Sequence, residues 1–320
     1  MFQVYSVERK RSDRPMSQEN LHETTAAPKP DGPFRDRLLF WFIRIILAVL
    51  HLVPYPLRIR IGGWFFKHIV APVAGYRRRI RVNLDLVLPN IDPVEKERLT
   101  RAVPENFGRT MIELFSPGEF LEIARKTTLN GPGLEALEKA RVSKQSAILV
   151  SGHFGNYDVV RAKMIDQGFD VGGLYRPMKN AFFNDYYVST ISKIGQPLFQ
   201  RGRRGMAQMV KFLRSGGTLA ILIDQHMGQG APLTFFGQPA QTALSAAQLA
   251  LKYNAVLIPC YAIRQEDGLN FRIELEEPVP IGSAEEMTQA LNDSLEKRVR
   301  ENMDQWLWIH RRWKAAGSPE

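Results

Sequence analysis

The stretch Ser146-Ala-Ile-Leu-Val-Ser-Gly-His-Phe-Gly-Asn-Tyr-Asp158 decides how the chain folds. Its first half is a short apolar run that ends in glycine, the pattern of a strand buried on both faces of a parallel sheet. Further runs of this kind follow at FDVGGLYR (169–176), GTLAILIDQ (217–225) and AVLIPCYAIR (255–264). Helical periodicity is predicted between them, over 156–167, 181–194, 204–215 and 241–253. Upstream, helices are predicted over 93–103, 105–115 and 133–142. NFRIELEEP (270–278) alternates apolar and polar residues and reads as an edge strand, followed by a helix over 284–303. Strands alternating with helices predict an α/β fold, a layered, mostly parallel sheet flanked by helices.

Sites in such sheets form just beyond the C-terminal ends of strands. The second half of the opening stretch, GHFGNYD (152–158), occupies such a position. Two glycines flank His153 and let the backbone turn sharply beside a ligand. Asn156 is a good helix N-cap and places Asp158 in the first helical turn. A hydrogen bond from one imidazole nitrogen to Asp158 would fix the His153 tautomer and leave the other nitrogen as a general base. A strand-end histidine bonded to a backbone carbonyl fits the same residues. No G-x-S-x-G elbow is present, so a substrate hydroxyl would be the nucleophile.

Other candidates lie at the ends of the neighbouring strands. Arg176 offers a guanidinium for a phosphate or a developing oxyanion. Asp224, with Gln225 beside it, should share the edge with His153 and Arg176, where it pairs with Arg176, positions an acceptor, or closes a loop. Arg201, Arg203 and Arg204 form a basic loop, and Phe235-Phe236 either line an apolar pocket or pack in the core. His226 is a weaker alternative base. Cys260, the single cysteine, sits in an apolar strand and is expected to pack. The scattered histidines predict no metal site, and one cysteine excludes a disulfide framework.

The net charge of +10 is concentrated. Residues 1–34 hold five basic and five acidic residues, and 35–81 hold ten basic and one acidic. The basic segment includes LLFWFIRIILAVLHLV (38–53), IGGWFFKHIVAPVAGY (61–76) and RRRIR (77–81). A spanning helix needs about 20 apolar residues, and the first run is shorter and contains Arg44. Three readings follow: a short transmembrane anchor, an interfacial helix with Arg44 snorkelling, or a helix packed in the core. Interleaved aromatic and basic residues favour an anionic membrane over nucleic acid. The expected organisation is a disordered tail (1–33), a hydrophobic, basic anchor region (34–81) and a catalytic domain (82–320).

HFGNYD (153–158), YRPMKN (175–180), Arg204-Gly205, DQHMGQGAPLTFFGQPAQT (224–242) and QWLWIHRRWK (305–314) occur in order and spacing that resemble the lysophospholipid-acyltransferase-like enzymes of lipid A biosynthesis, the late lauroyl/myristoyl-type acyltransferases. The resemblance covers roughly residues 35–315. It implies transfer of a fatty acyl group from acyl carrier protein or coenzyme A to a glycolipid hydroxyl at the cytoplasmic face of the bacterial inner membrane. His153 would be the base and Asp158 its partner; Asn156, Arg176, Arg204, Asp224 and Gln225 would contact substrate. No cofactor beyond the acyl donor is implied. Relatives that acylate other glycolipids or phospholipids leave the acceptor open. A non-catalytic lipid-binding protein is the alternative from another class.

Overall fold

Residues 32–314 are described by the structure, a computed structural model. The expected disordered tail therefore lies almost wholly outside the described residues. The strands are β1 (Thr128–Asn130), β2 (Ala147–Ser151), β3 (Val171–Tyr175), β4 (Leu198–Gln200), β5 (Thr218–Leu222), β6 (Ala231–Phe235), β7 (Gln238–Thr242), β8 (Val256–Arg264) and β9 (Phe271–Leu275). Seven of them form one sheet in the order β1-β9-β8-β2-β5-β3-β4. Only β8 and β9 pair antiparallel; the other neighbours are parallel. Central β2 is buried at all five positions, as an apolar run between two neighbours must be.

The predicted α/β class is correct, and the four apolar runs are β2, β3, β5 and β8. β9 alternates as expected, with Phe271, Ile273 and Leu275 buried, but it is not the edge. The three-residue β1 covers it, too short a strand to leave a periodic signal. Nor does a helix begin at 241. Residues 238–242 form β7, which pairs with β6 in a separate hairpin. Phe236 and Gly237 make its turn, both at positive φ, the backbone of a two-residue hairpin whose twist matches the strands.

The helices begin with α1 (Phe34–His51), α2 (Tyr55–Phe65), α3 (Ala71–Val73) and α4 (Tyr76–Val87). Then follow α5 (Pro93–Leu114), α6 (Pro117–Lys126), α7 (Gly133–Val142), α8 (Asp158–Asp166), α9 (Ala181–Ile194), α10 (Arg203–Arg214), α11 (Ser245–Tyr253) and α12 (Ala284–Glu301). The two helices read over 93–115 are one, with Pro104 inside it. Its apolar face, including Leu99, Val103 and Ile112, stays buried through the proline. Packing thus offsets the hydrogen bond that proline removes.

The basic N-terminal segment is built into the fold rather than appended to it. Ile59 and Leu47 pack with Ile112 and Phe115. Arg58, one of the ten cations of the segment, is buried rather than turned to a membrane. It donates to the Ser116 hydroxyl at 3.0 Å, to Glu119 at 3.0 Å and to the carbonyls of Leu50 and Val53 at 3.1 Å. A boundary at residue 81 would cut α4 in its middle. Arg44 lies over the Tyr186 ring of α9, 4.4 Å from its centroid. No helix among the described residues is long and apolar enough to cross a membrane.

Candidate active site

Parallel pairing fixes where the candidate residues emerge. β2, β5, β3 and β4 end on one edge of the sheet, and they lead respectively into His153, Asp224, Arg176 and the arginines 201–204. Gly152 and Gly155 are required at the first of these ends. A Cβ on Gly152 would lie 2.8 Å from Leu295 and 3.1 Å from an Asp224 oxygen. Gly155 sits at φ +54°, and a Cβ there would be 2.0 Å from the Ala262 carbonyl oxygen. The loop therefore has no room for larger residues on either side of His153.

The carboxylate that holds His153 is Asp224, not Asp158. His153 Nδ1 lies 2.8 Å from Asp224 Oδ1, and the His153 backbone N–H donates to Asp224 Oδ2 at 2.8 Å. Trp306 Nε1 donates to the same Oδ2 at 2.9 Å. Asp224 is fully buried. Burial by itself would raise its pKa, but the charge on the His153 ring and the His153 hydrogen bonds outweigh that and hold the carboxyl below the usual range. An ionised carboxylate can only accept, so Nδ1 carries a proton, and in the neutral ring Nε2 presents a lone pair. The His153 side chain is 20% exposed, and Gln225 Nε2 stands 3.5 Å from its Nε2.

Asp158 has a different partner. Arg161 Nε donates to its Oδ1 at 2.9 Å, and Arg161 Nη2 lies 2.8 Å from the same oxygen. Arg161 also donates to the carbonyls of Gly195 at 2.7 Å and Ile191 at 3.2 Å. The expected His153–Asp158 hydrogen bond is absent because Asp158 starts α8 and turns inward, tying that helix to the end of α9. Asn156, expected against substrate, is fully buried. Its oxygen accepts from the Asp158 N–H at 3.1 Å, and its amide donates to Glu113 at 2.8 Å. Glu113 is itself paired with buried Arg264. Asn156 thus supports the loop from beneath.

Arg176 and Arg204 are exposed on the same sheet edge; neither pairs with Asp224. Phe235 and Phe236 belong to a buried aromatic cluster with Trp306, Trp308 and Trp313. The Cys260 thiol is pushed up to about 12 by burial, so this cysteine packs.

Sequence reading missed the role of residues 305–310 in the site. Gly155 N–H donates to the Gln305 carbonyl at 2.9 Å, and Leu307 N–H to the His153 carbonyl at 3.0 Å. Phe154 and Trp306 form an antiparallel bridge. The C-terminal segment is therefore stitched onto the histidine loop. It also brings the His310 ring to 4.9 Å from that of His153. Burial, then the neighbouring His153, hold His310 down at about 4, so it is neutral at pH 7. The only sequence signal was the tryptophan-rich run itself.

Beside His153 opens a small cavity of about 20 Å³, lined by apolar Val103, Phe107, Met111 and Leu307 and by polar Asn106, Thr110, Tyr157 and Gln305. Among the described residues, no group of histidines, cysteines and carboxylates suits a metal ion.

A histidine held by a buried aspartate at the end of a parallel strand, beside a small cavity, is an arrangement that can take up and return a proton. The sequence agrees. The family described as "Bacterial lipid A biosynthesis acyltransferase" matches residues 34–315, and the chain belongs to it. It is 25% identical over 288 residues to a lipid A biosynthesis acyltransferase of Haemophilus influenzae, covering 86% of this chain and 90% of that protein. It is 24% identical over 288 residues to the lipid A biosynthesis lauroyltransferase of Escherichia coli, covering 86% and 92%. A phosphatidylinositol mannoside acyltransferase of Mycobacterium tuberculosis is 22% identical over 247 residues, covering 75% and 78%.

Proposed function

We propose that the chain transfers a fatty acyl group from a thioester donor, acyl carrier protein or coenzyme A, to a hydroxyl of a lipid A-type glycolipid at the bacterial inner membrane. The observation that carries this reading is the His153–Asp224 pair, whose Nε2 faces Gln225 beside a small cavity. His153 Nε2 removes the proton as the hydroxyl oxygen bonds to the thioester carbonyl carbon. The carbon–sulfur bond then breaks, and the imidazolium returns the proton to the leaving thiolate. Asp224 stays ionised and stabilises the imidazolium through Nδ1. No acyl-enzyme forms.

The apolar wall of Val103, Phe107, Met111 and Leu307 beside His153 meets the reacting end of the acyl chain. Gln225 orients the hydroxyl at Nε2. Exposed Arg176 and Arg204 meet the anionic donor on the same sheet edge.

The test is a transfer assay with purified protein, acyl carrier protein thioester and lipid A precursor, with products read by mass spectrometry. Wild type should form the acylated glycolipid, and His153→Ala should lose about 10²–10⁴-fold in rate, the usual range for a general base. Full activity in His153→Ala would end the base assignment. Binding of both substrates without transfer would favour a lipid-binding protein.

A further inference from the structure

The arginine run 77–81 contains side chains with different duties. Arg81 pairs with Glu97 at 2.8 Å. Arg77 donates to the Lys67 carbonyl at 2.8 Å. Arg79 is half-buried and meets the Tyr76 ring, 5.9 Å from the centroid. Across from it, Arg311 is exposed, with no hydrogen bond or ion pair among the described residues.

These two arginines line one open cleft of about 450 Å³, together with Tyr76, Phe107, Leu307, Ile309, His310 and a third cation, Lys314. Among the described residues, none in the wall of the cleft is acidic. Its shape is fixed from below. Asn83, one helical turn after Arg79, donates to the carbonyls of Trp308 at 2.7 Å and His310 at 2.8 Å. That pins α4 to the segment bearing Arg311. The cleft shares Phe107 and Leu307 with the cavity beside His153. His310 separates the cleft from His153 and has a buried Nε2 with no partner.

The chain runs from exposed Trp64, Ile69 and Val73 directly to Tyr76 at the cleft.

We infer that Arg79 and Arg311 form an anion subsite that holds a phosphate ester on the headgroup of the lipid acceptor while its hydroxyl lies at His153. The inference rests on the acyl-transfer reading above and names the acceptor chemistry that this reading leaves open. A dianionic phosphate would accept charge-assisted hydrogen bonds from both guanidinium groups, whose forks suit it. His310, uncharged, adds no charge of its own between the anion and the base.

The experiment uses the full chain in uncharged detergent micelles, so that no bulk anionic lipid is present. Transfer is measured with a phosphorylated glycolipid acceptor and with the same acceptor after phosphatase treatment. Arg79→Gln and Arg311→Gln should each raise acceptor KM about tenfold and leave donor KM unchanged. The phosphatase-treated acceptor should show the raised KM already in wild type and respond little to either substitution. Arg79→Lys should recover part of the loss.

An equal rise with the phosphate-free acceptor would overturn the subsite, because it would mark a merely structural effect. So would a rise confined to donor KM, or an effect seen only on phosphatidylglycerol vesicles. Binding of the phosphorylated glycolipid, followed by tryptophan fluorescence, needs no turnover. Binding that depends on Arg79 and on the phosphate, with no transfer in any arm, would sustain the subsite and sink the acyl-transfer reading instead.

Discussion

Asp224 and Asp158 are both buried carboxylates within reach of the same loop, and the two differ in which cation each meets. Asp224 ends a strand and faces the His153 ring; Asp158 starts a helix and faces Arg161. Their isosteric amides should therefore fail in different ways. Asp224→Asn would present an amide to Nδ1, releasing the tautomer and withdrawing the charge that stabilises the imidazolium. Its rate should fall about 10²–10⁴-fold while the chain stays folded at ordinary temperature. Asp158→Asn leaves the Arg161 guanidinium buried beside a neutral group. It should cost about 3–5 kcal/mol of stability, the range for a broken buried pair, with folded protein keeping most of its rate at low temperature. Parallel melting curves and kcat values separate the two. If Asp158→Asn kept its melting temperature and lost its rate, the roles drawn from the geometry would be exchanged.

At the scale of elements, the decisive contacts join residues far apart in the chain. The strand 147–151 and the glycine-flanked His153 are legible in the sequence, because an apolar run, two glycines and a histidine are local signals. The parallel order of the apolar runs also suffices to put Asp224 on the correct edge. What no spacing rule gives is which carboxylate wins the imidazole. Asp158 is five residues from His153 and Asp224 is 71, and the nearer one is diverted by Arg161. The segment 305–310 is equally hidden, since its aromatic residues read as core and only its pairing with the loop gives it a role.

That segment also carries a pH signature. His310 sits at about 4 in the folded chain, against an ordinary value near 6.5. Between those values the unfolded chain binds a proton that the folded chain does not. Stability is therefore complete above about pH 6.5 and is lost as pH falls toward 4. The shift corresponds to at most about 3 kcal/mol. His310→Phe, which keeps the ring contact, should flatten that part of the curve. Urea midpoints at pH 7.5 and pH 5 measure it. If the variant loses as much between the two as wild type does, another group is responsible.

Most of the surplus positive charge and most of the large exposed apolar side chains among the described residues lie in the same N-terminal quarter. α1 turns Leu47 inward onto the body and leaves Leu38, Trp41, Phe42, Ile45 and Val49 more than half exposed. α2 adds Trp64 and α3 adds Val73. Large apolar side chains exposed together in this way mark an interaction surface. Arg60 and Arg78 are exposed in the same region, and we propose that the partner is an anionic bilayer met side-on, with α1 lying in the interface. This reading joins two of the alternatives open at the level of sequence: α1 packs on the fold with one face and offers the other outward. It predicts that Trp41→Glu with Phe42→Glu sharply weakens binding to phosphatidylglycerol vesicles, since each change removes an apolar anchor and adds a repelled charge. Both side chains point away from the body, so the melting temperature should hardly move. Transfer to an acceptor dispersed in uncharged detergent should persist, while transfer to an acceptor embedded in vesicles should fall with binding. Co-sedimentation with vesicles, beside the two activity assays, checks all three expectations. Unchanged vesicle binding in the double variant would mean that α1 is covered by something other than lipid.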